Sequence, residues 1–478
     1  MKRLRLFLAA VGLRTRVFPL VTPPMGIMAL AAYLRTKFDL DLTVVNQRLD
    51  NWSNDELARR AVEFEADVVG LSCLTTSAYM LGDVTRKIRQ GLPDALIVIG
   101  GPHASATRVQ TLEQTNADVA VVGEGELVFE QLIGVWRDRG DFSTIPGLIW
   151  RDPDGRVVTN PGVTPQVEDL DSLPLPAYDL IDLPAYWRRQ SIEPVFRRKY
   201  ASLTSSRGCP YHCMWCHNIF GKRLRVHSPE RIVEEIDYLQ RTYGVNDFEF
   251  LDDNFNFHRE RVFRFSELLQ ARDQRVKLAF PTGVRGDLVT QEVVDALMGA
   301  GMYQCGFALE SGSPRVQKLS GKFLDLPRFL KAVEMTAARG VYITGFCMMG
   351  FPTETEQELQ QTIDVACSSQ FHTAAFYTVT PFPGTPLYEK VAQTHPEKLP
   401  AIRYDDTDFS GMRVNLTDLP DEVLFAYQRK ALRRFFFDPR RIFRLLRDHP
   451  SPWTLPAYIP IFLHRATKGL LARNTPGS

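Results

Sequence analysis

Residues 207–218 read Arg-Gly-Cys-Pro-Tyr-His-Cys-Met-Trp-Cys-His-Asn, which places Cys209, Cys213 and Cys216 within eight residues and histidines at 212 and 217. Thiolates at such spacing are metal ligands, and two metals compete for them. Zinc could draw on the three cysteines and His217, since Cys and His in tetrahedral sets are its habit. Adjacent Cys216 and His217 would then have to bend back onto one ion, and no second C-x-x-C exists in the chain. Iron in a cluster is the other candidate. A cubane has four irons, so three cysteines leave one iron without a protein ligand. That corner would be a defect in an electron carrier and an asset in an enzyme.

The order C-x-x-x-C-x-x-C, with Trp215 just before the last cysteine, resembles the signature of the radical SAM superfamily. The resemblance implies that Cys209, Cys213 and Cys216 hold a 4Fe-4S cluster, that S-adenosyl-L-methionine (SAM) binds the fourth iron through its amino and carboxylate groups, and that Trp215 lies near the adenine. The surrounding sequence agrees. Strand-like runs at 200–209, 247–253, 277–285, 304–313, 341–352 and 374–388 alternate with amphipathic segments, as in a partial (β/α)6 barrel whose active site lies at the strand ends. Polar residues cluster at those ends. Asp252, Asp253 and Asn254 follow the second strand, and Arg285 closes the third, where it could simply pair with Asp287. Glu310-Ser311-Gly312 closes the fourth, resembling the family's turn toward the ribose or methionine part of SAM. Gly350, within Met-Gly-Phe-Pro (349–352), resembles the stretch that approaches adenine. Cys305 and Cys347 lie in apolar strands and read as small core residues.

The first 140 residues read as a doubly wound sheet. Apolar runs at 4–9, 42–45, 67–72, 95–99 and 118–122 alternate with helical segments at 25–35, 54–65, 79–90 and, more weakly, 109–115, which indicates βαβ units. Ligands in such sheets bind beyond the carboxyl ends of the strands. The loops there carry Ser72, Leu74, Thr75 and Thr76, then Gly100, Gly101 and His103, then Gly123 and Glu124. No G-x-G-x-x-G follows the first strand, which argues against a nicotinamide dinucleotide. Together the loops resemble the cobalamin-binding domain ahead of many radical SAM enzymes, whose Ser-x-Leu is followed by Gly-Gly, here Ser72-Cys73-Leu74 and Gly100-Gly101. Many cobalamin proteins also carry a cobalt-ligating histidine after the first strand. Residues 9–26 contain none, so the resemblance implies a cobalt without a histidine from that loop, and His103 packing against the cofactor or its loop.

The remaining segments set the boundaries. A hairpin around Asp154-Gly155 and a connector at 165–187 holding four prolines read as a semi-rigid linker, since proline disfavours regular elements. The chain divides into a cobalamin-binding domain at 1–143, the hairpin and linker at 144–195, a radical SAM partial barrel at 196–392 and a basic helical region at 393–478. In that last region two amphipathic helices within 421–447 break at Pro439, and eleven Lys or Arg between 429 and 473 face only Asp438 and Asp448. A helical cap with a solvated basic face is the favoured reading. The alternative is peripheral contact with an anionic membrane beside Trp453, Tyr458, Ile459, Ile461 and Phe462.

Composition bounds the rest. The chain has 478 residues, 44% hydrophobic and 24% charged, with a net charge of +1. That gives no global field for a nucleic acid, and none is expected as a partner. Seven cysteines, few and odd in number, suit a reducing, cytoplasmic setting. The apolar run at 6–13 imitates a signal peptide but is short and runs into Arg14, so it reads as a buried strand. No stretch approaches the roughly 18 apolar residues of a membrane span. The resemblance covers residues 1–390. It implies an enzyme that splits SAM to a 5′-deoxyadenosyl radical, with electrons from a flavodoxin- or ferredoxin-type donor, and modifies an unactivated carbon of a small-molecule or lipid substrate. C-methylation through methylcobalamin is the favoured outcome. Oxidative cyclisation or rearrangement is the rival, and a zinc-stabilised binding protein is the reading from another class.

Overall fold

The computed structural model describes residues 3–15, 19–193, 198–406 and 414–458. Two parallel sheets organise it. The first contains β1 (Leu4–Val11), β2 (Leu40–Asn46), β3 (Val68–Cys73), β4 (Leu96–Gly100), β5 (Val119–Ala120), β6 (Ile149–Arg151) and β7 (Val157–Thr159), in the order β2-β1-β3-β4-β5-β6-β7. The first five are parallel, and the β6–β7 hairpin is antiparallel. The expected hairpin thus extends this sheet.

Alternation along β1 divides the interior. Leu6 and Leu8 pack with helices Met25–Lys37 and Glu126–Arg137 on one face, while Phe7 and Ala9 pack with Asn54–Glu63 and Leu81–Gly91 on the other. Successive side chains on a strand point to opposite faces, so a run apolar at every position must be covered on both. The run that imitated a signal peptide is therefore central core. The strand order reverses direction between β1 and β3, the switch point at which such sheets open a ligand crevice. One helix escaped the sequence reading: Gly101–Thr107 begins in the Gly-Gly loop, with Pro102 in its first turn, ahead of the expected helix at Val109–Glu113.

The second sheet runs β8 (Tyr200–Leu203), then β11 (Asp247–Phe250), β12 (Lys277–Val284), β13 (Met302–Glu310), β14 (Tyr342–Met349) and β15 (Thr373–Thr378). All are parallel and in sequence order, with a small antiparallel ribbon of β9 (Ser206–Arg207) and β10 (Arg225–Val226) after β8. Helices between successive strands cover the outside, as a partial barrel requires. The expected six strands are all present.

The proline-rich connector forms only short turns and one helical turn, Leu183–Tyr186, but it is no spacer. Tyr178 and Leu183 are fully buried, and both belong to the barrel's core together with Met25 and Met28 from the first domain. The Tyr178 hydroxyl donates to the Glu235 carboxylate at 2.7 Å, and the Ala177 amide donates to the Met28 carbonyl at 3.1 Å. The C-terminal helices are Asp421–Phe436 and Pro439–Asp448, broken at Pro439 as read. Ile459, Ile461 and Phe462 lie outside the described residues. No described helix is long and apolar enough to cross a membrane.

Candidate active site

The cysteine loop leaves β8 under tight control. Asp252, 2% exposed, accepts from the Ser205 amide at 3.1 Å and hydroxyl at 2.7 Å, and from the Ser206 hydroxyl. The sequence reading sets Asp252 at the cofactor; the structure instead gives its carboxylate to the chain that enters the loop. Gly208 then turns with φ +88°, where a Cβ would stand 2.3 Å from the Arg223 carbonyl oxygen, so only glycine fits. Inside the loop the Cys216 amide donates to the Cys213 carbonyl at 3.2 Å. The Met214 amide donates to Ser320, and Leu387 donates back to Met214. The loop is therefore fastened to the end of helix Pro314–Leu319 and to the helix after β15.

The thiols of Cys213 and Cys216 are both pushed up, first by burial, and Cys216 reaches about 12. Cys209 raises both by its negative charge and Cys213 raises Cys216, so a cationic metal group is what would make three thiolates stable here. His217 turns its Nε2 toward Asp253, 3.4 Å from Oδ1. Among the described residues no three of His, Cys, Asp or Glu form a group that could hold a single metal ion. Thiolates on a cubane cap separate irons and need not converge.

The remaining predicted groups surround this loop. The Arg285 guanidinium lies 3.7 Å over the Tyr211 ring of the loop, pairs with Asp287 at 2.9 Å and donates to the Lys322 carbonyl at 3.0 Å. The suspected Arg285–Asp287 pair and a place beside the cysteines are thus both present. Glu310 is 8% exposed, sits at φ +59° and meets Lys322 at 3.3 Å; burial raises its carboxyl and Lys322 opposes that. Ser311 turns its hydroxyl to Thr362 and to the Ser313 amide, bracing the turn rather than leaving a free donor. Trp215 packs edge-on against Phe351 at 5.3 Å, next to Gly350 at φ +93°. The Gly350 and Phe351 amides donate to Glu354, whose buried carboxyl is raised to about 7. Tyr211, Lys322 and Glu354 were missed by the sequence reading. Tyr211 lay inside the motif, but a lysine and a glutamate beyond it carry no signal of their own.

The first sheet's loops form the second half. Gly101, at φ +80°, would place a Cβ 2.1 Å from Ser72 Oγ, so the Ser and the Gly-Gly signals describe one contact. Leu74 is 48% exposed, an apolar side chain left facing out at the crevice loop. Thr75 Oγ1 lies 3.4 Å from His103 Nδ1, and the buried Thr76 Oγ1 has no partner, an orphan that a bound polar ligand would satisfy. His103 is buried, with its imidazole pushed down to about 4, and with Tyr79 and Thr111 it lines a cleft of about 150 Å³. Gly100 ends β4, and Gly123 at φ +78° donates its amide to Ser105 Oγ at 2.9 Å. Two tight glycine turns, an exposed leucine and an orphaned hydroxyl fit a large, mostly apolar ring with amide arms, as cobalamin is.

Glu124 corrects the sequence reading. It is 3% exposed, pairs with Arg207 at 2.9 Å and with Arg225, and accepts from the Val167 amide at 3.2 Å. Glu126 holds the same arginine at 2.7 Å. Glu124 is therefore an inter-domain anchor, tying the loop after β5 to the residue just before Gly208.

Comparisons with known proteins agree with this division. Residues 13–133 match the B12 binding domain, and residues 203–366 match the radical SAM superfamily. The chain is 28% identical to an uncharacterised methyltransferase of Pyrococcus horikoshii over 95% of each chain. It is 24% identical to the anaerobic magnesium-protoporphyrin IX monomethyl ester cyclase of Rubrivivax gelatinosus, over 87% of this chain and 74% of the cyclase. In fold it resembles the cobalamin-dependent S-adenosylmethionine radical enzyme OxsB, with a TM-score of 0.73 at 16% identity, over 98% of this chain and 75% of that one. Its cofactors are cobalamin, a 4Fe-4S cluster and SAM. The chain belongs to the cobalamin-binding radical SAM enzymes.

Proposed function

We propose that this enzyme methylates an unactivated carbon of a small-molecule or lipid substrate, drawing electrons from a low-potential flavodoxin- or ferredoxin-type donor in a reducing cytoplasm. When bound, the cluster and SAM supply one-electron cleavage of a carbon–sulfur bond, and cobalamin supplies the methyl group. The protein's part is positional. Arg207 joins the entry to the cysteine loop to the loop of the cobalamin sheet through Glu124 and Glu126, so both cofactor sites share one rigid joint. Lys322 and Arg285 place positive charge beside the cysteines, and Trp215 with Phe351 walls the loop against water.

The observation that favours methylation is the end-to-end match to the Pyrococcus methyltransferase, 28% identical over 95% of each chain. Cyclisation without methyl transfer is the second reading, supported by the cyclase's 87% coverage of this chain. Product analysis tests the choice. S-adenosylhomocysteine formed together with 5′-deoxyadenosine supports methylation, and 5′-deoxyadenosine alone overturns it in favour of the second reading. Cys213→Ala abolishes both products while cobalamin is retained.

A further inference from the structure

Helix Pro439–Asp448 is mounted the wrong way round for a soluble cap. Its charged face is turned inward. Arg441, 2% exposed, donates to the Cys367 carbonyl at 2.8 Å and to the Phe371 carbonyl, and stacks over Phe435 at 3.7 Å. Asp448 meets His372 at 3.0 Å, and Arg444 bonds Gln370. Ile442, Phe443 and Leu446 share the opposite face by helical spacing and are 43%, 66% and 54% exposed. Phe437 and Trp453 flank them, 63% and 78% exposed. Eleven large hydrophobic side chains are exposed among the described residues, and these five fall within residues 437–453. One short segment thus holds nearly half of the exposed apolar bulk, which is the mark of an interaction surface.

Charge identifies the partner. Arg433 on the preceding helix and Arg440 and Arg447 on this one are exposed, Arg440 and Arg447 next to Phe443 by helical spacing, and Arg447 also pairs with Asp448 at 2.6 Å. A second copy docking face to face would set these arginines against their own counterparts. An acidic redox protein would suit the charge but not the position. The helix is bonded to residues 367–372, just before β15 begins at Thr373, so it lies at the amino-terminal base of the barrel. The cysteine loop lies at the carboxyl end of the strands, a barrel's length away. An apolar stripe edged by arginines on a helix too short to span is the pattern of in-plane insertion into anionic lipid.

We propose that residues 437–453 dock the enzyme on an anionic lipid surface, with Ile442, Phe443 and Leu446 inserted and Arg433, Arg440 and Arg447 among the headgroups. The test is co-sedimentation of the reconstituted holoenzyme with phosphatidylcholine vesicles, with and without phosphatidylglycerol. Binding to the phosphatidylglycerol vesicles falls with added salt and drops about tenfold or more in Phe443→Ser/Leu446→Ser, as loss of two inserted apolar side chains requires. Iron and cobalamin contents of that variant stay at the parent level, which shows that it folds. Three results overturn the proposal: no sedimentation of the parent with anionic vesicles, equal sedimentation of the variant, or a vesicle-free parent dimer that the variant abolishes, which would make the occupant a second copy.

Discussion

Arg207 lies 2.7 Å from Glu126 and 2.9 Å from Glu124, with all three side chains nearly buried. The contact joins a strand-end loop of the cobalamin sheet to the residue that precedes Gly208 and the first cluster cysteine. Arg207→Ala leaves the buried Glu126 without its cation and Glu124 with Arg225 alone, which costs about 3–5 kcal/mol. The denaturation midpoint falls accordingly, and Arg207→Lys does not restore it because lysine lacks the fork that grips both acids. Urea titration of the parent and both variants measures this.

His217→Ala leaves iron per chain at the parent level, because the imidazole already pairs through Nε2 with Asp253. Iron determination after anaerobic reconstitution decides it. A loss equal to that of Cys213→Ala would make residue 217 a ligand.

Gly101→Ala forces a Cβ to within 2.1 Å of Ser72 Oγ at φ +80°. Strain of that kind costs roughly 1–3 kcal/mol, and the loop has to move. Cobalamin retained through gel filtration falls sharply while iron content is unchanged. Equal loss of both would mean that the substitution unfolds more than the first domain.

His103 gives a pH signature. Its imidazole titrates near 4 in the folded chain because burial disfavours the cation, against about 6.5 unfolded. Between those values the unfolded chain binds the extra proton, so stability falls as pH drops from about 6.5 toward 4, by roughly 3 kcal/mol at most. Above that window the group contributes no pH dependence. His103→Gln removes this share of acid sensitivity, seen as a flatter denaturation midpoint against pH before cobalamin is loaded.

Local pattern carried most of the architecture. The apolar runs found all six barrel strands and the five parallel strands of the first sheet, because each is a short segment whose burial is written in consecutive residues. The cysteine triplet was legible for the same reason. What pattern could not show was partnership at a distance. Glu124 reads as part of a glycine loop, yet its partners stand at Arg207 and Arg225. Asp252 reads as a strand-end acid facing a ligand, yet Ser205 and Ser206 take it. The connector's prolines correctly excluded long elements, but they say nothing of the buried Tyr178. The outward apolar face of Pro439–Asp448 was hidden because periodicity gives a helix two faces without saying which one meets the protein.

The barrel's interior is completed by Met25 and Met28 from the opening helix and by Tyr178 and Leu183 from the proline-rich strap. A barrel expressed from residue 196 onward would have holes where those four side chains belong, and the cobalamin sheet would lose its cover in exchange. The halves are therefore not modules that meet in order to react. A cut within residues 165–187 would therefore weaken the barrel itself as well as separate the two sheets.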